Sequence, residues 1–128
     1  MKIIIRILLL SILLLSFQCD ENESNVSEIT SQQLILKKQQ ILDYIRSFSC
    51  NSSSSCNYIA FGSKPCGGPR EYLVYPSTVN QTILENLVNE YNKMDNQYNI
   101  QNGAVSDCMV VSPPNNIDCV NGVCTIIN

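Results

Sequence analysis

Cysteine constrains this chain more than any other residue. Seven occur in 128 residues, and no histidine accompanies them. Six lie between Cys50 and Cys124, and the seventh, Cys19, directly follows an apolar leader. Without an imidazole there is no Ser-His-Asp or Cys-His relay and no histidine metal ligand. Carboxylate or lysine chemistry survives that exclusion. The available polar neighbours, Asp107 beside Cys108 and Glu71 beside Arg70, form no catalytic constellation in the sequence. No catalytic residue and no cofactor is assigned, and the chain is expected not to be an enzyme.

The leader reads MKIIIRILLLSILLLSFQC. Lys2 and Arg6 supply a positive start, and residues 7–15 are apolar except for Ser11. A membrane-spanning helix needs about 20 apolar residues, so this run is too short to span and reads as an export signal over residues 1–18. Residues 14–19 resemble the end of a bacterial lipoprotein signal, in which the cysteine becomes the lipidated first residue. The chain departs from that pattern at Gln18, where a small residue is preferred. The resemblance implies lipid attachment at Cys19, anchorage of the exported protein to a membrane of the cell envelope, and six remaining cysteines, an even number suited to bridges. The polar run that follows, with Asp20, Glu21 and Glu23, resembles the start of a lipoprotein tether and predicts a flexible segment over 19–30. A plain secreted protein with an unpaired Cys19 is the alternative.

Loss of Lys2 and Arg6 with the leader moves the formal net charge from −3 to −5. Nucleic-acid phosphates require a basic footprint, so nucleic acid is not an expected partner.

Periodicity organises the rest into one domain, residues 31–128. A helix is predicted over 31–48: Thr30 and Gln33 fit a capping box, and Leu34, Ile41, Ile45 and Phe48 recur at helical spacing. Two cysteines then flank a serine run, opening a core over 50–128. Residues 57–61 and 71–75 read as strands, joined by a loop in which Pro65 and Pro69 fix φ while Gly67 and Gly68 permit positive φ. Asn80 is placed as an N-cap, with Val79 and Leu84 as a hydrophobic staple. Leu84, Leu87, Tyr91, Met94 and Tyr98 then mark a second helix, stopped at Gly103. Residues 109–111 read as a short strand ended by Pro113 and Pro114. Asn121-Gly122 between alternating apolar residues predicts a hairpin with a type I′ turn. The expected fold is α+β: one antiparallel sheet of four or five short strands, a long packed helix and an N-terminal helix, stapled by disulfides.

An exported chain is oxidised, so Cys50, Cys56, Cys66, Cys108, Cys119 and Cys124 are expected to form three disulfides. Fifteen pairings exist. The Asn-Gly turn sets Cys119 opposite Cys124 at a non-hydrogen-bonded pair. Those two either bond each other or together receive Cys50 and Cys56, and in both cases Cys66 and Cys108 remain to pair. A zinc site on Cys50, Cys56, Cys119 and Cys124 is disfavoured by ligand spacing and by export, and no metal is assigned.

The run of Cys50, Cys56, FGSKPCGGPREYLVY, LVNEYN, SDC, the proline pair and C-x-NG-x-C resembles a group of small exported bacterial proteins of unassigned function. The resemblance covers Cys50 to Cys124 and implies a bridged domain behind an export signal. The candidate contact surface is the 62–70 loop, with Lys64, Pro65, Gly67, Gly68, Pro69 and Arg70, because fixed-backbone loops on rigid scaffolds commonly carry recognition. The expected role is a small binding module for a protein or envelope ligand. The alternatives are a structural envelope component, or an inhibitor-like domain inserting Lys64 or Arg70 into a protease.

Overall fold

The computed structural model describes residues 28–127. The export signal, the lipid site at Cys19 and most of the tether lie outside the described residues. Helix α1 spans Ser31–Arg46. Its start is a reciprocal cap: the Gln33 amide donates to Thr30 Oγ1 (3.2 Å), and the Thr30 amide donates to Gln33 Oε1 (2.7 Å). Leu34, Ile41 and Ile45 form its buried line. The helix ends two residues short of the predicted Phe48. The Phe48 amide takes the tighter bond to the Ile45 carbonyl, and the Cys50 amide is committed to the Gly122 carbonyl at 3.0 Å.

A single 3₁₀ turn, Ser53–Ser55, leads into strand β1, Cys56–Phe61. Strand β2, Glu71–Pro76, returns antiparallel, with Tyr58 opposite Val74 and Ala60 opposite Tyr72. Alternation along the strands separates two faces. Ile59, Phe61, Leu73 and Tyr75 point to the helices and join the core. Cys56, Tyr58, Ala60, Tyr72 and Val74 occupy the opposite face.

Helix α2, Gln81–Gln101, lies on the core side. Asn80 Oδ1 accepts from the Ile83 amide (3.2 Å), and Val79 and Leu84 are both buried at the staple positions. The C-terminus closes by a Schellman arrangement: the Ala104 amide donates to the Asn99 carbonyl and the Gly103 amide to the Ile100 carbonyl, with Gly103 at φ +57°. Phe61 stacks on Tyr91 with ring centroids 4.1 Å apart, between the fully buried Ile41, Leu84 and Val88. Each such side chain contributes roughly 1.5–3 kcal/mol by leaving water.

The second hairpin pairs β3, Ile117–Val120, with β4, Val123–Ile126. Asn121 (φ +51°) and Gly122 (φ +80°) make the turn, as type I′ geometry requires. The fold is α+β, but the expected single sheet of four or five strands is corrected to two separate two-stranded sheets. The predicted strand at 109–111 does not form. The Met109 amide donates to Asp107 Oδ1 and its carbonyl accepts from Lys64 Nζ, so its backbone polar groups are already satisfied by side chains. The second hairpin meets the first through sulfur instead of a hydrogen-bond ladder.

Candidate functional site

Three disulfides organise the region the sequence singled out. Cys50 bonds Cys119 (Cα–Cα 5.9 Å), Cys56 bonds Cys124 (5.7 Å) and Cys66 bonds Cys108 (5.4 Å). Of the two arrangements open to Cys119 and Cys124, the structure has the one in which they receive Cys50 and Cys56. Both hairpin sulfurs lie on one face, so the hairpin is riveted flat over the start of β1. The sulfurs of Cys50, Cys56 and Cys124 lie within 4.8 Å of one another because the two bridges are adjacent. A sulfur held in a disulfide offers no thiolate to a metal.

The root of the 62–70 loop is fastened to α2 by a polar network that periodicity did not reveal. Asp95 and Asn99 are each only 4 % exposed. Asp95 Oδ2 accepts from Arg70 Nε and from the Ser63 amide, both at 2.7 Å. Asn99 Oδ1 accepts from Arg70 Nη2 at 2.6 Å, while its Nδ2 donates to the Ser63 carbonyl at 2.7 Å. Asn92 Oδ1 receives the Gly62 amide at 2.7 Å. Gly62 is required twice over: its φ is +79°, and a Cβ there would stand 2.9 Å from Arg70 Cγ. The hydrogen bond that Arg70 donates to Asp95, more than the nearby charge, raises the Arg70 pKa further and keeps the guanidinium charged.

The loop then closes on itself. The Lys64 amide donates to the Gly68 carbonyl (2.9 Å), the Gly67 amide to the Lys64 carbonyl (2.8 Å), and the Arg70 amide to the Phe61 carbonyl (3.0 Å). Gly67 and Gly68, at φ +92° and +80°, form its exposed tip with nothing near their Cα hydrogens. Pro65 and Pro69 flank that tip, half-buried.

Opposite the loop runs a strap, residues 104–112, tied on by Cys66–Cys108. Lys64 Nζ reaches Asp107 Oδ1 (3.1 Å) and the Met109 carbonyl (2.7 Å). The Lys64 hydrogen bond, with a second from the Met109 amide, holds the Asp107 carboxyl below the usual carboxylate range. Loop and strap wall a cleft of about 170 Å³. Its rim is apolar and open: Val110 is 90 % exposed and Val105, just outside, 94 %. Met109 is exposed beside them.

The sequence-predicted residues therefore divide. Gly67, Gly68, Pro65 and Pro69 form a presented tip. Lys64 and Arg70 are turned to the protein's own carboxylates, so neither enters a partner's pocket without giving up those contacts. Glu71 pairs with Lys38 at 2.6 Å, while Arg70 is bound to Asp95. Missed in sequence were the bracing residues Asn92, Asp95 and Asn99. Their spacing of three and four is the signal that marked the apolar stripe, but carried by polar side chains.

No family model, curated protein or solved structure matches this chain. Among the described residues no helix is long and apolar enough to cross a membrane, and the three bridges are compatible with export from the reducing cytosol.

Proposed function

We propose that this chain is a non-enzymatic, exported protein, held at a membrane of the cell envelope by lipid on Cys19, that acts as a small binding module for a protein partner. The contact surface of the proposal is the tip of the 62–70 loop together with Met109 and Val110 of the strap. One observation carries it. Apolar side chains are held in solvent beside a loop whose backbone is fixed at its root by Asp95 and Asn99 and at its tip by Cys66–Cys108. Fixing a loop before binding lowers the ordering cost at binding, which is what a recognition surface gains from such bracing. The leader, the cysteine behind it and the bridges support the exported, anchored part of the reading.

A photo-crosslinking residue at Val110, compared with one at the exposed Gln39 of α1, tests the contact surface in intact cells. A discrete adduct from position 110 alone, lost in a Cys66→Ser, Cys108→Ser variant, is the expected result. Equal labelling from both positions, or none from 110, overturns it. Intact mass of the membrane-extracted protein before and after reduction tests the anchor. It is expected to show a start at Cys19 with added acyl mass and a gain of six hydrogens for three bridges.

A further inference from the structure

The hairpin of β3 and β4 does not seal the face it covers. Cys119 and Cys124 share a face with Ile117 and Ile126, which oppose each other at the hairpin's open end. That face is directed at the first sheet, because Cys124 bonds Cys56. On the first sheet, Tyr58, Ala60 and Tyr72 follow Cys56 on the same side. Beyond the bridges the two layers part. On the β1 side an open hollow of about 490 Å³ runs over the edge of the strand, from Ile117 and Tyr58 to Asn57, Tyr75 and Gln81 on the helix side. On the β2 side a second open hollow, of about 310 Å³, lies between Tyr72, Ser112, Pro114 and Ile126. Tyr58 and Tyr72, one from each cavity, touch edge to face with centroids 5.6 Å apart. The two hollows thus flank one aromatic pair. Both volumes lie in the range of small-ligand sites, which run from about 300 to 1,000 Å³.

The chemistry of the lining is neutral. Its only charged members are Arg70 and Glu71, and these are paired with Asp95 and Lys38. Among the described residues no hydrogen bond engages the hydroxyls of Tyr58 and Tyr72 or the side-chain amide of Asn57. A charged ligand finds no counter-charge here, and a purely apolar one leaves amide and hydroxyl groups unpaired at a cost. The ligand that matches is uncharged and rich in hydroxyls, with C–H faces for the electron-rich tyrosine rings.

We infer that the groove flanking Tyr58 and Tyr72 is a binding site for a neutral oligosaccharide. One ring offers its face to a sugar, the other its edge and hydroxyl, while Asn57, Ser112 and the side-chain carbonyl of Gln81, whose amide nitrogen donates to Glu85 at 2.7 Å, are placed to read hydroxyl or acetamido groups. The site is separate from the loop tip, so this inference and the binding-module reading stand or fall independently.

The probes are tetramers of β-1,4-linked glucose and of β-1,4-linked N-acetylglucosamine, with a neutral eight-residue peptide as the competing class, added to the full oxidised protein. Tyrosine emission serves as the signal, since the chain contains six tyrosines and no tryptophan. The expected result is saturable binding of at least one tetramer at millimolar concentration or tighter. Tyr58→Ala and Tyr72→Ala should each weaken it by about tenfold or more, and Tyr58→Phe, which keeps the ring, should restore it to within about threefold of wild type. Amide shift mapping on the wild type decides the site without any variant, with changes expected at Tyr58, Tyr72, Ser112 and Ile117. Three outcomes would each overturn the inference: no saturable binding of either tetramer, binding mapped elsewhere, or binding of the peptide alone.

Discussion

Apart from the bridged Cys50, the buried apolar side chains from Leu34 to Tyr91 all belong to the two helices and the first hairpin, or to the turn at Val79 that joins them. Beyond Gly103, among the described residues, Cys124 is the only one that is buried. The first region is held by packing: Phe61, Ile41, Leu84 and Val88 interlock, and caps at Thr30 and Asn80 close its helices. The second, the strap and the β3–β4 hairpin, has almost no core of its own. It is held mainly by three sulfur bridges, with the contacts of Lys64 and the bond from the Cys50 amide to the Gly122 carbonyl beside them. The difference teaches where the covalent constraint is needed. An isolated two-stranded hairpin is marginal in water, and a cross-link restricts the unfolded chain whether or not apolar area is buried. The presented surfaces, the loop rim and the tyrosine groove, lie along the seam between the two regions.

That contrast can be broken from either side. The largest effect is expected in the packed region, where Phe61→Ala removes the ring stacked on Tyr91 from a site without room to collapse. A loss of about 3–5 kcal/mol is expected in denaturant unfolding, felt across the whole chain. Arg70→Met comes next. It leaves Asp95 as a buried carboxylate without its guanidinium, a change that typically costs about 3–5 kcal/mol. Because the Arg70 side chain is 43 % exposed, water can partly replace it, and a loss near the lower end, about 3 kcal/mol, is expected.

Removing Cys66–Cys108 by paired serines should cost about 2–4 kcal/mol, the least of the three bridges, since it closes the shortest loop, a separation of 42 residues. The effect should be local: strap amides lose exchange protection while those of α1 and α2 keep theirs. The smallest effect is electrostatic. Asp107 is held below its ordinary carboxylate pKa by Lys64, so the contact is fully present above about pH 4 and is lost as pH falls through the lowered value. Titration of the Asp107 carboxyl by NMR should show this, and Lys64→Met should move it up toward the ordinary range, short of a full return because the Met109 amide still donates to it.

Much of the packed region was legible in the sequence because its signals are local. The Thr30–Gln33 box, the Asn80 cap and the Val79–Leu84 staple each lie within a few residues, as does the Asn-Gly turn of the second region, and each has the geometry its residue types require. What was not legible depended on distant partners. Asp95 and Asn99 look like the solvent side of an amphipathic helix until Arg70 and Ser63 are known to stand against them. The stripe through Leu87, Met94 and Tyr98 accordingly lies at the edge of the core, and the deep line runs through Val88, Asp95 and Asn99 instead. Met109 to Val111 has the composition of a strand, but Lys64, 45 residues earlier, takes the Met109 carbonyl that a ladder would need. The division into two sheets was hidden for the same reason: cysteine spacing shows that bridges are available, while only the assembled chain shows that they replace strand pairing.

Hydrogen exchange on the protein before and after full reduction tests most directly whether packing holds one region and sulfur the other. Protection should persist in α1, α2, β1 and β2 after reduction and vanish from residues 104–127. Loss of protection throughout, or a hairpin that stays protected with all its thiols free, would contradict that division.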